Sequence, residues 1–236
     1  MSKKRKRDEK NNFNMPNMRP RKRVKVKRGL GRLSGQNLVE RKFIDTQTDG
    51  FIQVPKTGAK IFQTVVGAAT GNTAETRIGK QITLKSIHLR YCAETQSGGH
   101  TIPHLLLRIM VILDTQSNGT SPNFTDIVRT EGTGNARVLQ PNNLDNSSRF
   151  VVLYNKYHSF NSPGVAAGSS TKYQQTSVFN EWYKVMNHKI KYSGNGSSVG
   201  DIQKNNIMVY AFSDNGDGTN NDGYVIASCR CRFTDK

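Results

Sequence analysis

Residues 224–235 (YVIASCRCRFTD) place Val225, Ala227, Cys229, Cys231 and Phe233 at every second position, with Ser228, Arg230 and Arg232 between them. A two-residue period sends successive side chains to opposite faces, so this segment predicts a strand with one buried and one wet face. Residues 104–114 (HLLLRIMVILD) carry Leu105, Leu107, Ile109, Val111 and Leu113 on one parity and are almost as apolar on the other. Residues 206–213 (NIMVYAFS) are apolar on both parities. Both read as interior strands covered on two sides. Residues 81–94 start with Ile82 and Leu84 facing one way, then shift phase to Ile87, Leu89 and Tyr91. An extra residue near Lys85–Ser86, a β-bulge, would return both sets to one face.

Four weaker strands are predicted at residues 39–46, 60–66, 149–158 and 182–192. In the last, Trp182, Met186, Ile190 and Tyr192 share a face, while Val185, Asn187, Lys189 and Lys191 share the other. Turn-rich loops lie between the strands, at 96–100, 116–122, 141–148, 162–170, 193–200 and 213–223. Asparagine occurs 22 times and glutamate six, a balance that favours turns over helices. Neither a four-turn amphipathic helix nor an internal repeat is visible. Eight strands in about 200 residues, with uneven loops, predict an all-β chain. A single eight-stranded jelly-roll sandwich fits the count and loop lengths, and other Greek-key sandwiches share the pattern.

Charge divides the chain. The 236 residues carry a formal charge of +18, of which +12 falls in the first 32. The expected organisation is therefore a disordered Arg/Lys-rich arm at residues 1–36 and a folded domain at 37–236. Its cations form two blocks around the Asn-rich segment 11–18. Lys3, Lys4, Arg5, Lys6, Arg7 and Lys10 lie before it, and Arg19, Arg21, Lys22, Arg23, Lys25, Lys27, Arg28 and Arg32 after it. A polyanion is the natural partner of such a tail. Phe13 is its sole aromatic ring, so the arm offers phosphate neutralisation rather than base stacking. Lys3, Lys4, Arg5, Lys6, Arg7, Arg21, Lys22, Arg23, Lys25, Lys27 and Arg28 also match short basic patches read by nuclear import receptors. On the domain, Lys184, Lys189, Lys191, Arg230 and Arg232 are expected opposite the apolar faces, either as ordinary solvated strand residues or as an extension of the cationic surface.

Other chemistry is sparse. No run of about 18 apolar residues is present, and the basic N-terminus has no apolar segment behind it. Neither membrane insertion nor a secretory leader is therefore expected. Cys92, Cys229 and Cys231 form no C-x-x-C pair and suit a reducing compartment, with Cys229 and Cys231 on one strand face. His88, His100, His104, His158 and His188 form no metal-binding pair, and the G-x-S-x-G and P-loop motifs are absent. Residues 213–223 hold Asp214, Asp217 and Asp222 but lack the closing glutamate of an EF-hand. They read as a polar hairpin connection. No cofactor, metal site or enzymatic activity is expected.

The basic arm ahead of a β-rich domain resembles the capsid proteins of circovirus-like, circular single-stranded DNA viruses that encode a replication initiator. The resemblance is carried by residues 39–46 (VERKFIDT), 77–89 (RIGKQITLKSIHL), 107–119 (LRIMVILDTQSNG) and the closing strands through Phe233. It implies a single jelly roll, about 60 copies of which close the smallest (T=1) icosahedral shell. It further implies an internal arm against single-stranded DNA, import receptors as partners, and residence in the virion and the host nucleus. Many relatives carry a denser Arg run where this arm has residues 11–18. Two other readings share the tail: a non-capsid nuclear shuttle or movement protein, and a jelly-roll enzyme or lectin with a basic extension.

Overall fold

The computed structural model describes residues 41–95, 104–129, 137–161, 164–167, 170–173, 175–214 and 223–235, all within the unit Val39–Lys236. The strands in chain order are β1 (Arg41–Gln47), β2 (Ile52–Val54), β3 (Ala59–Phe62), β4 (Gln81–Thr95), β5 (His104–Asp114) and β6 (Phe150–Asn161). They continue with β7 (Gly164–Ala167), β8 (Ser170–Tyr173), β9 (Ser177–Tyr192), β10 (Ile202–Lys204), β11 (Asn206–Ser213) and β12 (Gly223–Asp235). A short α-helix, α1 (Phe124–Ile127), and a 3-10 turn at Leu144–Asn146 lie between β5 and β6.

Two antiparallel sheets form the body. The first has the order β1-β12-β4-β9-β10, with β2 also on β12, and the second has the order β3-β11-β5-β6. Eight strands, β1, β3, β4, β5, β6, β9, β11 and β12, pass between the sheets in jelly-roll order. The first and last of them, β1 and β12, are neighbours. Every strand proposed from alternation is present. Two extend well beyond their expected bounds, since β6 runs on to Asn161 and β9 begins at Ser177 rather than near Trp182, whereas β3 ends at Phe62, short of the expected residue 66. The hairpin β7–β8 begins in the segment 162–170 read as loop and runs past it to Tyr173.

The phase shift in β4 has the expected cause. Opposite β12, Arg232 pairs with Ser86 and Phe233 with Leu84, so Lys85 is the extra residue. A bulge there lets Ile82, Leu84, Ile87, Leu89, Tyr91 and Ala93 all face inward, where each is buried. They meet Leu105, Leu107, Ile109 and Val111 of β5 and Val225, Cys229, Cys231 and Phe233 of β12 in one core. Burying a large aliphatic side chain contributes roughly 1.5–3 kcal/mol, so this inter-sheet layer dominates stability.

A second apolar layer explains why β11 is apolar on both faces. Met110, Ile112, Met208, Tyr210 and Phe212 point out of the second sheet and are buried against Ile127, Val128 and Val138 of the β5–β6 connection. The Phe124 ring of α1 meets Tyr210 and Phe212 edge-on, with centroids 5.6 and 5.7 Å apart. Arg108 interrupts the apolar run of β5 and is buried beneath the same connection. Its guanidinium donates to Asn155 Oδ1 at 2.8 Å, Gln140 O at 2.7 Å and Asn142 Oδ1 at 2.8 Å.

Candidate nucleic-acid interface

The outer face of the first sheet is built differently. Residues paired across strands lie side by side on one face, about 5 Å apart, so the register gives the layout directly. One row crosses Phe43 (β1), Arg232 (β12), Ser86 (β4) and Val185 (β9). The next runs Asp45, Arg230, His88 and Tyr183, and the third Gln47, Ser228, Arg90 and Glu181. Beyond them stand Ile226, Cys92 and Phe179, then Tyr224, Glu94 and Ser177. Toward the other end Arg41 is followed by Thr234, Thr83 and Lys189. Lys191 stands between Gln81 and Lys204 at the β10 edge.

Cations outnumber carboxylates on this face. Asp45 accepts from Arg230 Nε at 2.7 Å and also from Nη2. That hydrogen bond, opposed by burial and reinforced by the charges of Arg230, Arg90 and Arg232, lowers the Asp45 pKa below its ordinary value. One carboxylate thus sits in the field of three guanidinium groups. The Arg230 guanidinium also lies 5.0 Å from the Phe43 ring centroid. Glu181 is engaged by His88 Nε2. Lys85 donates to the neutral Asn187 Oδ1 at 3.0 Å, and Arg41, Arg90, Arg232, Lys189 and Lys191 are exposed. Lys191 and Lys204 are cross-strand partners. Like charges at such spacing oppose folding and are relieved by an anion.

Of the domain cations expected on this surface, Lys189, Lys191, Arg230 and Arg232 are there. Lys184 is not: it pairs with the inward-facing Ile87 and shares the face of Trp182 and Met186. The even parity of β9 runs unbroken from Val178 to Tyr192, and Lys184 is half-buried within it. Arg90, Lys85 and Arg41 belong to the surface as well. Their alternation with Leu89, Leu84 and Lys42 is legible only once the bulge and the edge-strand register are fixed.

The arm residues Lys3, Lys4, Arg5, Lys6, Arg7, Lys10, Arg19, Arg21, Lys22, Arg23, Lys25, Lys27, Arg28 and Arg32 lie outside the described residues, as does most of the acidic 213–223 loop. The chain enters the sandwich at Arg41, on the edge strand of the cationic sheet. Among the described residues no group of three or more His, Cys, Asp or Glu side chains is arranged to hold a metal ion. No helix among them is long and apolar enough to cross a membrane.

A recess of about 350 Å³ opens on the same face, lined by Gln47, Thr48, Arg90, Tyr91, Cys92, Phe179, Ile226, Ala227 and Ser228. The Cys92 thiol is pushed above its ordinary pKa by burial and by Glu94, so it is held in the neutral form.

The strand order defines a jelly-roll sandwich as the class of fold. No family model and no curated protein matches the chain. Two solved virus structures share 10% sequence identity with it. One is of the infectious bursal disease virus Gx strain, with 83% of this chain and 42% of that chain covered and a TM-score of 0.17. The other is the T13 IBDV viral particle, with 83% and 39% covered and a TM-score of 0.18. The chain thus spans less than half the length of either.

Proposed function

We propose that this chain is a viral shell protein that encloses single-stranded DNA, using its arm and the outer face of the β1-β12-β4-β9 sheet to neutralise phosphate. The observation that carries the reading is the unequal treatment of the two sheets. The β5 and β11 part of the second sheet's outer face is covered by the chain's own β5–β6 connection, whereas the outer face of the first sheet is cationic and joined through β1 to a segment of net charge +12. A jelly roll gives a stiff tile with two ends and two sides on which copies can meet, and repetition of one set of contacts closes a shell. About 60 copies would bring several hundred arm charges to one cargo, which suits a genome and far exceeds the need of a regulatory site. The reading assigns no catalytic role, and it places the protein in the virion and, during assembly, in the host nucleus.

Electron microscopy of the full-length protein, with nuclease-protected nucleic acid measured on the same sample, tests this. Closed particles holding protected nucleic acid are expected. Replacing the fourteen arm cations with Gln should remove most of that nucleic acid while leaving the β-sheet circular dichroism unchanged. Small oligomers that bind nucleic acid at every salt and pH would instead support a shuttle protein.

A further inference from the structure

Phosphate neutralisation does not require rings, yet the cationic face exposes them. Phe179, Tyr183 and Val185 are 65%, 54% and 72% exposed and lie on the outward parity of β9. Leaving such side chains in water forgoes roughly 25 cal/mol for each Å² of apolar surface. A purely electrostatic surface would carry polar residues there.

The geometry beside Phe179 suits a flat, partly polar guest. Phe179 and Ile226 straddle Cys92 in one row of the sheet, two strand spacings or about 9.6 Å apart at the backbone. The neighbouring row supplies Arg90, Ser228 and Gln47, a guanidinium, a hydroxyl and an amide at the rim. Apolar walls with a few convergent polar groups define a small-ligand recess, and about 350 Å³ is at the low end of the usual range.

Charge decides the occupant. A second copy docking through the same face would bury the cation excess of one copy against that of the other. A duplex satisfies the cations but hides its base faces. A single strand offers both phosphates for the arginines and unpaired π-faces for the rings. We propose that this face is a stacking platform for unpaired nucleobases, with one base seated between Phe179 and Ile226, a flanking phosphate held by Arg90 in the adjacent row, and phosphates further along the strand held by Arg232. The proposal rests on the nucleic-acid-binding part of the reading above and is independent of shell closure.

The recess carries its own reporter. Cys92 is half-buried at its floor, whereas Cys229 and Cys231 are fully buried. Alkylation of Cys92 in the full-length protein is measured by peptide mass with an oligodeoxythymidylate, an abasic oligomer of equal length, or a duplex of that length. The oligodeoxythymidylate should slow alkylation roughly tenfold, and the other two should leave it near the free rate. Phe179→Ala and Phe179→Leu should each weaken binding of the oligodeoxythymidylate roughly 5- to 100-fold and leave the abasic oligomer unaffected. Equal protection by the abasic oligomer, or unchanged affinity in both variants, overturns the platform and leaves phosphate binding standing. Lost particle assembly in both variants with unchanged affinity assigns the face to a second copy and also overturns it. Should the wild-type chain bind none of the three, the nucleic-acid reading fails together with the proposal.

Discussion

At Arg108 a single charge is buried and matched with neutral acceptors. The guanidinium makes three hydrogen bonds to Asn155, Gln140 and Asn142 and lies 5.2 Å from the Tyr157 ring centroid. Burial lowers its pKa, and Tyr157 opposes the shift. The planar fork reaches all three acceptors at once, which a lysine ammonium cannot do with the same geometry. Arg108→Lys should therefore cost about 1–3 kcal/mol in urea unfolding, because at least one partly buried acceptor loses its charged donor. Arg108→Met should leave all three acceptors unpaired and cost more. A loss below about 0.5 kcal/mol for both would show that water replaces the guanidinium freely. In the sequence this arginine is only a break in an apolar run. Its partners lie 32–47 positions away, so no local pattern announces them.

At the scale of elements, alternation predicted the strands well where one face is wet. β12 is the clearest case, since Val225, Ala227, Cys229, Cys231 and Phe233 are buried and Arg232 is exposed. Alternation failed at the start of β9, where Val178 and Phe179, then Trp182 and Tyr183, put apolar groups on both parities. The residues that blurred the strand boundary are the same rings that mark the candidate platform. The second sheet's cover was equally hidden, because the β5–β6 connection has too few apolar residues in sequence to read as a layer.

The two sheets are also tied by a polar cluster inside the sandwich. Tyr91 of β4 donates to His158 Nε2 of β6 at 2.7 Å, and Asn180 of β9 donates to Tyr91 and Tyr154 at 3.1 and 2.6 Å. This assignment uses neutral His158 with Nε2 as acceptor. Burial, aided by the charge of Lys156, lowers the His158 pKa below 6.5. In the window between the folded pKa and 6.5 the unfolded chain binds the proton and the folded chain does not, so stability falls as pH drops below 6.5. His158→Gln keeps a hydrogen-bonding side chain without this titration. Urea midpoints of the wild type should decline between pH 7 and pH 5 more steeply than those of the variant. Parallel profiles would show that His158 takes up its proton without disturbing the cluster.

For the whole molecule, the arm and the sheet face make separable contributions to binding, and salt separates them. Each phosphate neutralised on a single strand contributes about −0.7 to the slope of log affinity against log salt. The arm holds fourteen cations, so replacing them with Gln should flatten the slope by at most about 10. Replacing Arg90, Arg232, Lys189 and Lys191 with Gln should flatten it by at most about 3. These four side chains are exposed and have few folding contacts to lose, so their replacement should also relieve repulsion and leave stability equal or slightly higher. A face that evolved only to meet solvent would show the stability gain without any change in slope. A face that takes part in holding the cargo must show both, because the same uncompensated charge that opposes folding of the free chain is what the bound phosphates relieve. Fluorescence titrations of the full-length protein with a labelled single strand, repeated across salt concentrations for the two substituted forms, would decide between them.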